Sequence, residues 1–194
     1  MKTVIRLGFV VLFASSASAQ DVEYIRAMER AQQQRPTSMT ASSRIAPAGE
    51  PGPSLVLHGR VVKADGTPAG GTIVFAYHTD QSGLYDRAEA GGHSWRLRGW
   101  AKADAAGRFT FETIRPGPYP DRRMPAHVHF TIFTPSGERY HAGEAKFEDD
   151  QFVPPREREA SRRAGDFGEV RPVRREGGKE HVEVTLRIDA TQRF

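Results

Sequence analysis

The sequence predicts an all-β domain, an antiparallel β-sandwich with long ordered loops and a short N-terminal helix. Three observations predict it. Short apolar runs alternate with polar residues at the two-residue period of half-buried strands, as in residues 55–62 (LVLHGRVV) and 181–188 (HVEVTLRI). Turn signals such as Ala64-Asp65-Gly66-Thr67 separate the runs at the spacing of a sandwich. The composition, 38% hydrophobic and 27% charged with 19 Gly and 13 Pro, suits a loop-rich fold whose core sits mid-chain.

Residues 1–19 read as a secretory signal. Lys2 and Arg6 form a positive start, residues 7–14 (LGFVVLFA) an apolar stretch, and Ala17-Ser18-Ala19 a small-x-small cleavage site. The apolar stretch is about half the ~20 residues that span a bilayer, so a removed leader is expected and no membrane span. The expected location is periplasmic or secreted. Removing Lys2 and Arg6 takes the formal net charge from +4 to +2. So balanced a chain carries no electrostatic footprint for nucleic acid. Cysteine is absent, which excludes disulfides, thiolate ligands and a cysteine nucleophile. Stability must then come from the core or from a bound metal.

Residues 20–54 are expected as an N-terminal helix and linker, and 55–190 as the sandwich. Residues 21–35 have helix-forming composition, with Tyr24, Ile25 and Met28 on one side and Pro36 as the stop. This helix packs on the domain or on a partner, and a homodimer is compatible with it. Residues 37–53 are Ser/Pro/Gly-rich, as a linker is. Strands follow at 55–62, 72–77 (TIVFAY), 95–101, 109–114 (FTFETI), 128–134 and 139–147, with turns at 104–107 and 135–137. Between Arg115 and Pro125 the prolines at 116, 118, 120 and 125 withhold ladder donors, which makes this an ordered loop. Residues 150–178 are charged and arginine-rich, read as a solvated loop with a short helix near 157–164. Residues 181–188 close the fold.

The chemistry concentrates in Pro125-Ala126-His127-Val128-His129-Phe130. On a strand, residues i and i+2 face one side, so His127 and His129 project together. Taken alone, the pair suits a shared metal ion or two hydrogen-bonding surface histidines. Tyr119 lies eight residues upstream between Pro118 and Pro120, which restrict the backbone on both sides and aim its ring. Tyr85 ends the turn Asp80-Gln81-Ser82-Gly83-Leu84-Tyr85 after the second strand.

In order, Gly59-Arg60-Val61-Val62, Asp65-Gly66-x-Pro68, Asp80-x-x-Gly83-x-Tyr85, Asp104-x-x-Gly107-Arg108-Phe109-x-Phe111-x-Thr113-Ile114-Arg115-Pro116-Gly117-Pro118-Tyr119-Pro120 and Pro125–Phe130 carry a resemblance. Over about half its length, the chain resembles the intradiol ring-cleavage dioxygenases, such as the protocatechuate and catechol enzymes. The resemblance implies a non-haem Fe(III) held by Tyr85 and His127 as equatorial ligands and Tyr119 and His129 as axial ones. Two hard phenolates with two imidazoles favour Fe(III) over Fe(II). It further implies a catechol-type diphenol as substrate with O₂. The axial tyrosine and a hydroxide take the diphenol's protons, and the ring opens between its hydroxylated carbons to a muconate.

Three positions depart from the family pattern. Met124 stands where an arginine steadies the substrate's negative charge, and Arg123 is the nominated replacement, catalytic together with Tyr119. Glu144 stands for a glutamine and Tyr77 for a tryptophan. A carboxylate beside a catecholate repels it unless it is protonated or turned away. Trp95 or His93 is expected to border the pocket and Trp100 to pack in the core; His58, His78, His141 and His181 are read as structural or surface residues. Two alternatives stay open: an iron- or ligand-binding sandwich of the same fold that has lost turnover, and a transthyretin-like interaction domain without metal. A hydrolase is disfavoured, since no G-x-S-x-G elbow is present.

Overall fold

The computed structural model describes residues 19–85, 95–189 and 193, with side chains from residue 26 onward. Of the expected leader only Ala19 is described, and His93 with Gly91 and Gly92 lies outside the described residues, as do the side chains of Tyr24 and Ile25.

Helix α1 (Ala19–Gln33) is followed by strands β1 (Ser42–Arg44), β2 (Ser54–Val62), β3 (Ile73–His78), β4 (Leu97–Lys102), β5 (Arg108–Ile114), β6 (His127–Phe133) and β7 (Arg139–Phe147). Helix α2 (Pro155–Ala164), a 3₁₀ turn (Gly165–Phe167), and strands β8 (Val170–Arg171), β9 (Arg174–Glu176) and β10 (Lys179–Arg187) complete it. Two five-stranded sheets result, in the orders β1-β5-β2-β10-β9 and β4-β3-β6-β7-β8. The all-β reading holds, and most pairings are antiparallel. Three are parallel, however: β1 with β5, β2 with β10, and β7 with β8. Both sheets are therefore mixed. The parallel partners are far apart in sequence, which local turn signals cannot reveal.

The sheets face each other through alternate residues of each strand. Leu55, Leu57, Phe109, Phe111, Val182 and Val184 of the first sheet meet Val74, Ala76, Val128, Phe130, Ile132 and Phe147 of the second. Gly59 is required under Phe109, because a Cβ there would lie 2.0 Å from a ring carbon.

A second apolar layer covers the outer face of the second sheet. Phe75, Tyr77, Trp100 and Phe133 point away from the core and pack under Ala27, Met28 and Ala31 of α1, with Trp95. Trp100 thus packs as expected, in this outer layer. The stretch expected as a linker is woven in: β1 extends the first sheet beyond β5, and Ile45 and Ala46 are buried.

The charged segment is also more ordered than a solvated loop. Pro155 starts α2 at its first turn, where no N–H partner is needed. Ser161 then exchanges two hydrogen bonds with the Val170 backbone. Arg171 donates to the carbonyls of Glu183, Gly165 and Gly168, so the guanidinium substitutes for absent ladder partners. No described helix is long and apolar enough to cross a membrane.

His78 is fully buried between the sheets, its Nδ1–H donating to Thr79 O and its Nε2 meeting Thr113 Oγ1. Burial lowers its pKa from 6.5 to about 4, so it folds neutral. The unfolded chain binds this proton first. The contribution is complete above pH 6.5 and lost as pH falls toward 4, worth roughly 3 kcal/mol. Urea unfolding of the iron-free protein should therefore show stability falling between pH 6.5 and 4.5, with a shallower slope in His78→Gln; equal slopes would refute this assignment.

Candidate metal centre

Strand β6 carries Val128, Phe130 and Ile132 inward, so His127 and His129 emerge on the outer face of the second sheet. His129 lies in register between Tyr77 of β3 and Glu144 of β7, and His127 opposite Lys146. Two loops bring the tyrosines to this face.

The first loop shows why its sequence reads Asp80-x-x-Gly83-x-Tyr85. Asp80 Oδ1 accepts from the backbone N–H groups of Ser82 (2.8 Å) and Leu84 (3.2 Å), and Asp80 N–H donates to Leu84 O. Gly83 has φ +80° and passes so near the second loop that a Cβ would sit 2.0 Å from Pro118 O. Gly117 reciprocates: its N–H donates to Asp80 O, and a Cβ there would lie 2.3 Å from Gln81 O. Thr79 Oγ1 donates to Gly117 O at 2.9 Å. Arg115, just upstream, is fixed by Asp149 (2.6 Å) and Glu180 (3.2 Å). The two tyrosine loops are thus one backbone-locked unit.

Their phenols reach the histidines. Tyr119 Oη lies 2.7 Å from Tyr85 Oη, Tyr85 Oη 2.8 Å from His129 Nε2, and His129 Nε2 2.9 Å from His127 Nε2. The four predicted ligands, from three separate segments, therefore converge.

The protons on the imidazoles decide what this cluster can do. His127 Nδ1 lies 2.6 Å from Pro125 O, which can only accept, so Nδ1 carries the proton. His129 Nδ1 lies 3.1 Å from Glu144 Oε1, and the same reasoning protonates Nδ1 there. Burial keeps His129 neutral, lowering its pKa despite the carboxylate. Both Nε2 atoms then point lone pairs at each other. A cation beside them would satisfy both, whereas the Tyr85 hydroxyl can donate to His129 Nε2 alone. Burial also pushes both phenols above the ordinary range, with Tyr119 adding to the effect at Tyr85. Only a highly charged ion would hold them as phenolates. Donor atoms about 2.0–2.1 Å from one ion stand about 3 Å apart at right angles, matching these contacts. Two phenol oxygens and two imidazole nitrogens fit a ferric ion.

Glu144 is the exception among the acidic neighbours. His127, His129 and Glu144 place atoms capable of binding a metal within 4.8 Å of one another. The carboxylate, however, is committed to His129 Nδ1–H, across the ring from Nε2. It orients the histidine and does not complete the ligand set. Burial raises its pKa, but the His129 hydrogen bond and charges nearby, including Lys146, hold it at about 2. The carboxylate is ionised and committed to the far side of His129, but its charge still raises both phenols, so the repulsion expected from it is reduced by geometry and not removed.

A family model described as Dioxygenase matches residues 28–188. The chain belongs to the intradiol ring-cleavage dioxygenase family. Within it, the chain is 32% identical to catechol 1,2-dioxygenase 1 of Acinetobacter lwoffii over 113 residues, 49% of this chain and 36% of that one. It is 34% identical to the protocatechuate 3,4-dioxygenase beta chain of Burkholderia cepacia over 96 residues, 44% and 41% of the two chains. The chain therefore spans about two fifths of the length of these curated relatives. Among solved structures, the dioxygenase domain of a carbohydrate-binding fusion from Streptomyces sp. SirexAA-E aligns with TM-score 0.59 at 22% identity, covering 79% of this chain and 91% of that one. Catechol 1,2-dioxygenase from Acinetobacter sp. ADP1 gives 0.58 at 17%, covering 85% and 68%. At these identities both likenesses concern the fold.

Arg123 is exposed, its backbone N–H donating to Asp121 Oδ1. Arg122 adopts φ +55°, and its guanidinium lies 5.9 Å from the Phe152 ring, beside a cavity of about 580 Å³ that Pro118 and Ala126 also line. Trp95, expected at the pocket border, is buried at φ +43° and stacks on Tyr77 at 4.0 Å. Tyr77 in turn stacks on His129 at 4.6 Å. Tyr77, in place of the expected tryptophan, thus keeps an aromatic ring under His129. His58 and His181 pair at 3.1 Å on the first sheet, away from the ligand-bearing strand. Sequence reasoning missed Lys146, Glu157 and Glu169, whose pairing with the site runs across three elements.

Gly83→Ala should separate the two tyrosine loops, since the new Cβ meets backbone. Ferric iron bound per chain should fall by at least tenfold in affinity while the far-ultraviolet circular dichroism stays sheet-like; unchanged iron binding would refute the loop lock.

Proposed function

We propose that this chain is an exported ferric dioxygenase that opens a catechol-type diphenol between its two hydroxylated carbons, using O₂ and giving a muconate-type product. The observation that carries the proposal is the continuous contact of four donor atoms, 2.7–2.9 Å apart, whose two imidazole N–H groups are both committed elsewhere. The names of the relatives, which include catechol, protocatechuate and 6-chlorohydroxyquinol dioxygenases, support the substrate class. The leader-like residues 1–19 support export to the periplasm or beyond.

When bound, the ferric ion makes the chelated ring electron-rich enough to react with O₂ directly, and both oxygen atoms enter the product. The chain's residues prepare that event. Pro125 O and Glu144 hold the Nδ1–H groups of His127 and His129, leaving the Nε2 atoms toward the phenols. Tyr85, the more deeply buried phenol, is the fixed oxygen donor. Tyr119 is less deeply buried, and its Oη is the base assigned to a hydroxyl proton of the diphenol. Leu84 and Met124 are exposed apolar side chains on the loops that carry Tyr85 and lead to His127, and offer surface to the ring edge. With Arg122 directed toward Phe152, Arg123 is assigned to the developing negative charge.

A second reading, a ferric protein that binds diphenols without turning them over, is favoured by Met124 at the arginine position. One experiment separates the two. Iron-loaded protein given catechol in air should form muconate and consume one O₂ per catechol. A coloured protein that does neither at full occupancy supports the second reading and overturns the first. Tyr119→Phe should weaken or shift the visible tyrosinate-to-iron band; an identical spectrum would exclude Tyr119 from the metal.

A further inference from the structure

Behind His129, on the side away from the phenols, lies a group of charges that the ligand set does not use. Glu144 Oε1 receives the His129 Nδ1–H at 3.1 Å, while its Oε2 lies 3.3 Å from Lys146 Nζ. Lys146 is largely buried and has two further carboxylates: Glu157 of α2 at 3.0 Å and Glu169, just before β8, at 3.2 Å. Glu169 Oε1 returns to accept from the Glu144 backbone N–H at 3.3 Å. Three carboxylates thus surround one ammonium. The cluster carries surplus negative charge, part of it on the partly solvent-facing Glu157 and Glu169.

A bulge creates this arrangement. The β6–β7 register shifts between His129 and Thr131, and Gly143 takes φ +74°. Tyr140 faces the core before the bulge, yet Glu144, two alternations later, faces outward beside His129. The bulge re-aims Glu144 and, with it, Lys146.

We propose that Glu144 is a positioning residue that gives His129 partial imidazolate character, and that Lys146 couples this effect to α2 through Glu157. The inference rests on the ferric reading above. A carboxylate on the remote nitrogen fixes the tautomer and ring orientation and strengthens the metal-binding nitrogen as a donor. The surplus negative charge of the cluster favours the ferric over the ferrous state. Lys146 holds Glu144 in place, preventing its carboxylate from turning toward the phenols. Helix α2, which supplies no ligand, thereby acts on the metal through Glu157.

The test compares wild type, Glu144→Gln, Glu144→Ala and Glu157→Gln, each loaded with ferric iron. Iron affinity, the tyrosinate charge-transfer band and the Fe(III)/Fe(II) reduction potential are read, with circular dichroism as the check on folding. Glu144→Ala should weaken iron binding about 10–100-fold, the range for losing such a partner. Glu144→Gln keeps the shape and an acceptor oxygen but not the charge. Its band should move to longer wavelength and its potential should rise, because a weaker histidine donor leaves a more acidic metal. Glu157→Gln should shift band and potential in the same direction by less. Wild-type colour with an unchanged band, affinity and potential in Glu144→Gln overturns the positioning role; an effect of Glu144→Gln with none from Glu157→Gln overturns the coupling to α2. A wild type that binds ferric iron without the tyrosinate band sinks the functional reading instead, so the two failures are distinguishable.

Discussion

The Nε2 atoms of His127 and His129 are held 2.9 Å apart in a mostly buried site with Tyr85 Oη 2.8 Å from His129 Nε2, so that one cation could join all three. The fold enforces that contact from both sides. Pro125 O and Glu144 commit the opposite nitrogens, while β6 sets the two rings on one face by its pleat. Stacking of Tyr77 on His129, and Trp95 on Tyr77, leaves the second ring little room to turn. The four donor atoms are thus brought together before any ion binds, so a metal would have little side-chain ordering left to impose. Trp95 in a left-handed backbone conformation, rare for a bulky residue, lies in the same support.

Much of this was legible from local sequence. The alternation of residues 55–62, 109–114 and 181–188 gave strands because one face of each is buried, and the pleat translates burial into period two. The i, i+2 spacing of His127 and His129 placed them together for the same reason. The motif Asp80-x-x-Gly83-x-Tyr85 was recognisable because its fixed residues occupy one short turn. Asp80 caps backbone donors with its carboxylate, Gly83 takes φ +80° against a carbonyl, and Tyr85 offers its phenol to the histidines. The Asp80 bonds are local, while Gly83 and Tyr85 meet the distant Pro118 and His129, yet all three residues sit in one short turn and so leave a short signature.

What sequence could not convey depends on contacts between distant segments. Period-two counting puts Glu144 on the same side as Tyr140, which is buried in the core. Only the Gly143 bulge reverses it, and a glycine in a strand does not by itself announce a change of face. The arginines of residues 150–178 read as solvated because composition cannot show which carbonyls a guanidinium meets. Arg171 and Arg158 each bridge backbone groups that lack ladder partners. β1 was likewise hidden: three residues, SSR, carry no apolar pattern, and their order comes from parallel pairing to Thr110–Glu112.

The division of β6 between two faces separates stability from chemistry. Its inward residues, Val128, Phe130 and Ile132, close the core against the first sheet without any ligand taking part. Its outward residues, His127 and His129, meet loops that the core supports but does not include. A cysteine-free domain has to rely on either its core or a metal, and the packing of both sheets assigns that role to the core. In small metal-dependent domains, ligands occupy the place of a core, and loss of the ion unfolds the chain. Here the ligands are attached outside a complete sandwich. A metal there would have to organise only the ends of side chains whose backbones the sheets and the Gly83–Pro118 contact already hold. The same separation leaves the residues around the centre, on loops and strands alike, free to differ in sequence, as Met124, Tyr77 and Glu144 do, while the four donor atoms stay in contact.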